Sequence, residues 1–209
     1  MTKSPVLLTF TCLMLLAVSF LFLSVAPSDA RVIIKERIKY YTVTGKTGRA
    51  LSKSILKRGP KLSRQGHAIA TTTIDFKVRN FKPGIRGRKC IVQSVDVNLT
   101  LTYKYPRWKN RRGASKTVRN TWDKFFKQIQ KHERTHGKIA KEFARDVDRQ
   151  IKRLSGRVSR GCKDFGRGAA KKFARLVKNH EARQIRFDRR ESRVLSRTTR
   201  LQVSLFKAK

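Results

Sequence analysis

Residues 117–154, TVRNTWDKFFKQIQKHERTHGKIAKEFARDVDRQIKRL, decide the fold, because their apolar residues recur at spacings of three and four. That period is typical of an amphipathic helix, and Thr117 or Asn120 can cap its start. In its middle stands His132-Glu133-Arg134-Thr135-His136. Two histidines four positions apart lie on one face of a helix, so both imidazoles can reach a single metal ion. The stretch therefore predicts a long helix with a candidate metal site at its centre.

The chain before this helix predicts an antiparallel sheet with one short helix. Residues 91–103 alternate most clearly, because one side of the predicted strand carries only apolar or aromatic residues: Val95, Val97, Leu99, Leu101 and Tyr103. Residues 31–44 and 68–79 predict two further strands, residues 50–57 the short helix, and residues 83–87 a loop.

The chain after the long helix predicts further helices and a basic tail. A turn over residues 156–161 ends at Cys162, and a second helix follows with Phe165, Phe173 and His180 on one side. The fold class is therefore α+β, with the sheet first and the helices after it. We expect residues 31–190 to form one domain and residues 191–209 to form the tail.

The first thirty residues have the features of a signal peptide. Lys3 precedes an apolar run over residues 6–26, and the small residues Ser28 and Ala30 suit cleavage before Arg31. The run is also long enough to cross a bilayer uncut, so a retained anchor is the alternative. Both interpretations predict export, to the periplasm or beyond the cell.

Two cysteines remain after the leader, Cys90 and Cys162. Neither has a second cysteine two to four residues away, so the pattern does not match a zinc knuckle. In an oxidising compartment it predicts one disulfide. Closing so long a loop would restrict the unfolded chain by about 4 kcal/mol on the chain-entropy model.

The chain is strongly basic, with 52 lysines and arginines against 13 acidic residues and a net charge of +39. Such a surface attracts polyanions, and outside the cytoplasm these include anionic lipids and envelope polymers. Nucleic acid ranks last among them, because the arginine-rich tail contains few aromatic residues on which bases can stack.

The histidine motif predicts a catalytic zinc site, in which three protein ligands leave a fourth position for water. His132 and His136 are the expected ligands, and Glu133 is the expected general base. Glu142 points about 120° away from His136 on the same helix and makes a poor third ligand. His180 is the first candidate, because it falls on the apolar side of the next helix. Asp188 is the runner-up, and Glu181 and His67 are weaker choices.

The order of several motifs resembles a bacterial domain of unknown function whose members are described as predicted secreted zinc-dependent proteases. The residues that carry the resemblance are Tyr40-Tyr41-x-Val43-x-Gly45, Gly59-Pro60, Pro106-Arg107-Trp108, Trp122, the histidine motif and Cys162. The resemblance covers residues 31–190. It implies zinc bound by His132 and His136, Glu133 as the catalytic acid/base, and a Cys90–Cys162 pair.

The end of the family pattern departs from this chain. Family members tend to carry an aromatic-Asp pair followed shortly by His-Gly. Phe187-Asp188 matches the start of that pattern, but Arg193-Val194 stand where His-Gly is expected.

These observations predict an exported zinc metallopeptidase that acts on protein or cell-wall peptide. The alternative is an inactive relative that binds anionic envelope polymers through its basic surface.

Overall fold

The computed structural model describes residues 30–62, 66–157, 162–193 and 196–209. The leader or anchor predicted for residues 1–30 lies outside these ranges, apart from Ala30. Within them, no helix has both the length and the apolar character that a bilayer span requires.

The elements follow the predicted order, and the α+β fold class is confirmed. They are β1 (Ala30–Val43), α1 (Gly48–Arg58), β2 (Lys61–Leu62), β3 (Gly66–His67), β4 (Thr71–Arg86), β5 (Lys89–Trp108), a 3-10 turn at Arg111–Gly113, α2 (Lys116–Lys152), β6 (Ser155–Arg157), α3 (Lys163–Glu191) and α4 (Arg197–Lys207). Helix α2 begins one residue before Thr117, because the Ser115 side chain caps it by accepting from the backbone N–H of Val118.

The main sheet is built around β5, which pairs antiparallel with β4 and β6. Its other long neighbour, β1, runs parallel to it, with Ala30 opposite Val95 and Val43 opposite Trp108. The sheet is therefore mixed rather than wholly antiparallel. Residue alternation indicates which face of a strand is buried but not the direction of its partner, so the parallel pair was not predicted.

Strand β4 continues through the loop that was predicted over residues 83–87. It reaches Arg86, and the chain reverses at Gly87, whose φ of 56° suits glycine. Pairing shifts register on both sides of Lys82. Because β4 lies at the end of the strand order β1-β5-β4, Pro83 occupies an edge strand, where a missing N–H is tolerated.

The core lies between the sheet and α2. The predicted inward face of β5 is confirmed, since its residues from Val95 to Tyr103 are at most 1% exposed at every second position. Helix α2 covers them with a buried stripe that includes Trp122, Phe125 and Phe143.

Two features tie the C-terminal helices to this core. The predicted disulfide is confirmed and joins Cys90 in β5 to Cys162 at the start of α3. The segment predicted as a basic tail contains α4, whose Leu205 is 1% exposed within the hydrophobic core. Residues 196–209 are therefore packed against the domain.

Helix α2 approaches the sheet closely at Gly137, directly after His136. A Cβ atom at Gly137 would lie 2.0 Å from the Tyr103 hydroxyl oxygen, so any larger residue would force the buried Tyr103 ring to shift.

Substituting Gly137→Ala is expected to destabilise the protein by about 1–3 kcal/mol, although alanine has the higher helix propensity. Gly168→Ala in α3 is the matched control, because its new Cβ would meet nothing within 4 Å. That control should gain up to about 1 kcal/mol. Urea unfolding gives both values, and adding Tyr103→Phe should recover part of the Gly137→Ala loss. Equal effects of the two glycine substitutions would contradict the proposed contact.

Candidate metal centre

Three side chains from two helices converge on one point. His132 and His136 on α2 meet Asp188 on α3, and their ligand atoms all lie within 4.8 Å of one another. The two Nε2 atoms are 3.2 Å apart. Asp188 Oδ1 lies 2.9 Å from the Nε2 of His136 and 3.5 Å from that of His132. This group can hold a metal ion.

Gln184 fixes the orientation of the His136 ring. Its Nε2 donates to the backbone oxygen of His136 at 3.2 Å, so its Oε1 faces the His136 Nδ1 atom at 2.7 Å and accepts from it. Nδ1 therefore carries the hydrogen, and in the neutral ring Nε2 presents its lone pair to the converging group. Such an outer contact is the usual means of setting the tautomer of a ligating histidine.

Glu191 lies beside the Nδ1 atom of His132, as Gln184 lies beside the Nδ1 atom of His136. Its Oε2 lies 3.9 Å from His132 Nδ1, a buried atom with no hydrogen-bond partner in the described chain. The Thr198 hydroxyl, on α4, donates to Glu191 at 2.9 Å, and the buried Gln128 amide donates to Thr198 at 3.1 Å. Helix α4 therefore restrains the carboxylate that faces His132.

Glu133 points toward the sheet, where it is 5% exposed. The Thr72 hydroxyl on β4 lies 2.7 Å from Glu133 Oε2 and 3.0 Å from the Glu133 backbone oxygen, and it donates to one of them at a time. Burial raises the pKa of Glu133, although the Thr72 hydrogen bond and the two nearby histidines oppose that shift. A carboxylate with a raised pKa is suited to accepting a proton near neutral pH.

The chemistry of the converging atoms fits a cation. Two imidazole nitrogens and a carboxylate oxygen repel one another unless a proton or a metal ion lies among them. Burial lowers the pKa of His136, but hydrogen bonds to Asp188 and Gln184 outweigh burial and raise it. Burial likewise raises the pKa of Asp188, but hydrogen bonds from His132 and His136 outweigh it and hold that pKa low. Two imidazoles and one carboxylate are also a ligand set that zinc accepts.

The predicted site residues divide into two sets. His132, His136 and Asp188 are brought together. His180, the first candidate for third ligand, is not part of the group: its ring stacks on Phe143 at 4.5 Å, and burial lowers its pKa. The structure therefore favours the runner-up, Asp188.

The weaker candidates, Glu181 and His67, are not among the residues whose ligand atoms converge, and neither is Glu142. The His67 Nδ1 atom lies 2.7 Å from the backbone oxygen of Gly59. Glu142, which its direction on α2 had already excluded, forms an ion pair with Arg183. Neither belongs to the group around His132.

Sequence reasoning missed Gln184, Glu191 and Thr72. A signal for the first two was available, because residues 184, 188 and 191 follow the spacing of four and three that places side chains on one helix face. Thr72 had no such signal, since its position depends on how β4 packs against α2.

The fold and the site together define a class: an α+β protein in which two histidines and one carboxylate form a group between two helices. The chain belongs to the family described as "Bacterial protein of unknown function (DUF922)", which matches residues 38–194. Membership in a bacterial family of unknown function is thereby confirmed, and the protease activity expected from the resemblance stays a prediction. No curated protein and no solved structure matches the chain.

Metal content will test the choice of third ligand. Asp188→Ala should retain less than about a tenth of the wild-type zinc, because it removes one of three ligands. His180→Ala should retain all of it, since its ring lies on Phe143 outside the group. Elemental analysis of the purified variants measures both. Zinc lost from His180→Ala and kept by Asp188→Ala would reverse the assignment.

Gln184→Leu should weaken zinc binding by about 10–100-fold, because His136 Nδ1 loses its acceptor. Gln184→Glu keeps an acceptor at that position and should recover most of the affinity. Competition with a chromophoric chelator gives the dissociation constants, and Gln150→Leu on an exposed face of α2 is the control. A leucine variant with wild-type affinity would show that Gln184 has no positioning role.

Proposed function

We propose that this protein is an exported zinc-dependent metallopeptidase, in which His132, His136 and Asp188 hold the ion and Glu133 is the general base. The observation that supports the proposal most is the convergence of two Nε2 atoms and one carboxylate oxygen beside a buried glutamate. A motif on one helix provides only two ligands, and the facing helix supplies the third. Export follows from the leader predicted for residues 1–30.

Zinc, when bound, supplies Lewis acidity that makes water nucleophilic near neutral pH and polarises a peptide carbonyl. Glu133 takes the proton from the attacking water and later delivers it to the leaving nitrogen. The raised pKa of Glu133 suits both steps, because the carboxylate must gain and then release one proton. Thr72 restrains the carboxylate from β4 while these transfers take place.

The exposure of the group is consistent with a substrate site. The Asp188 side chain is 56% exposed, whereas His132 and His136 are 17% and 13% exposed. The two rings are therefore held firmly on the protein side, and the group opens toward solvent on the side of Asp188. A peptide can approach from there without displacing the core.

The alternative is a relative that holds zinc without hydrolysis and binds anionic envelope polymers. The net charge of +39 supports binding of that kind. The two functions differ in what Glu133 does, so a single substitution separates them.

Glu133→Gln should retain zinc and lose hydrolysis of casein or of cell-wall peptides by about 10²–10⁴-fold, since it removes the general base. The amide keeps an oxygen that can accept from Thr72, so the fold should survive. Zinc content and circular dichroism serve as controls for that. Hydrolysis that is equal in the variant and the wild type would refute the mechanism, and zinc-loaded wild type without any hydrolysis would favour the alternative function.

A further inference from the structure

A shallow cleft of about 810 Å³ runs along the solvent side of α2. Its charged lining consists of six cations: Lys124, Lys127, Lys131, Arg134 and Lys138 on α2, and Arg197 on α4. All six are exposed, and the lining includes no aspartate or glutamate.

The five cations on α2 form a row because they recur at alternating spacings of three and four. That spacing keeps them on one helix face over about 21 Å, at 1.5 Å per residue. Arg197 adds a charge from the facing wall. The result is an elongated positive cleft rather than a compact pocket for a single ion.

The row carries unbalanced charge. Across the ranges that the structure describes, none of the six cations forms an ion pair with a carboxylate. By contrast, several cations elsewhere do, such as Lys141 with Glu36 and Arg183 with Glu142. Like charges held this close repel one another, and a bound polyanion relieves that repulsion.

The cleft is connected to the metal centre through residues of α2 and α4. Lys131 and Thr135 line the cleft and directly precede His132 and His136 in the chain. Gln128 also lines it, and through Thr198 it is connected to Glu191 beside His132. At about 100° per residue, the row of cations is centred about 140° from the direction of His132 and His136, so the cleft and the metal group lie on different sides of α2.

We propose that this cleft binds an extended acidic polypeptide at a distance from the metal centre, as a second contact surface for the substrate, so that the enzyme prefers acidic substrates. The proposal rests on the function proposed above. An extended chain presents side chains on one side at intervals of about 7 Å. The lysines on α2 are spaced by helix turns of about 5.4 Å, and their flexible side chains can reach acidic groups at the longer interval. The cleft lining includes no aromatic residue for base stacking, so a nucleic acid fits it less well.

Binding is tested in a Glu133→Gln background, so that the ligand is not cleaved. The probe is a fluorescent peptide of alternating glutamate and alanine, followed by anisotropy. Lys127→Glu with Lys138→Glu should weaken binding about tenfold, because two attractions become repulsions. The matched control reverses Lys171 and Lys178, two exposed lysines on α3, and should change binding less than twofold. Equal losses in the two double variants would overturn the proposal, because they would show attraction to overall charge.

A second set of probes tests the class of ligand. The same peptide with glutamine in place of glutamate should bind at least tenfold more weakly. A single-stranded oligonucleotide of equal charge should be the poorer competitor. An oligonucleotide that displaces the acidic peptide at lower concentration, and depends on the same two lysines, would assign the cleft to nucleic acid and reject a polypeptide.

Kinetics with an active Glu133 separate this inference from the proposed function. Reversing Lys127 and Lys138 should raise KM for the acidic peptide about tenfold and leave kcat and zinc content unchanged. Acidic and glutamine peptides hydrolysed with the same KM would reject the cleft as a substrate site and leave the peptidase standing. No hydrolysis of either peptide, with cleft-specific binding intact, would reject the peptidase and leave an acidic-polypeptide site.

Discussion

Helix α2 lies against β5 so closely that Gly137 meets the Tyr103 hydroxyl with no room for a side chain. Together with the buried apolar stripe of α2, this contact restricts both the rotation of the helix and its position along the strand. Because successive helical residues point about 100° apart, adjacent members of the motif face different partners. Glu133 turns toward Thr72 in the sheet, whereas His132 and His136 turn toward α3. The different surroundings of the proposed base and the proposed ligands therefore follow from how α2 packs on the sheet.

Much of the fold could be predicted because its signals are local. The alternation in β5 and the long helical period of α2 each reflect burial of one face, and both were correct. The parallel partnership of β1 and the packing of α4 were missed. The direction of β1 relative to β5 depends on the route of the chain between Val43 and Thr71. The position of α4 depends on its contacts with α1, α2 and α3. Neither property can be predicted from the hydrophobic periodicity of a single segment.

The third ligand shows the same limit inside the site. His180 and Asp188 fall on neighbouring faces of α3, so periodicity allowed both. They are separated by about 12 Å along the helix axis, at 1.5 Å per residue. Which of them reaches His132 and His136 depends on how far α3 is displaced along the axis of α2. The structure sets that position by placing Phe143 against His180, and this brings Asp188 level with the motif.

The disulfide has a consequence for the order in which the protein matures. Asp188 reaches the metal group from α3, and the start of α3 is covalently attached to β5 through Cys162 and Cys90. In a chain whose thiols are still reduced, only noncovalent contacts hold α3, including those of Gln184 and Arg183 with α2, and Asp188 is less restrained. If the group holds a metal ion as proposed above, thiol oxidation and metal binding are coupled, and the chain with reduced cysteines is expected to be the weaker metal binder.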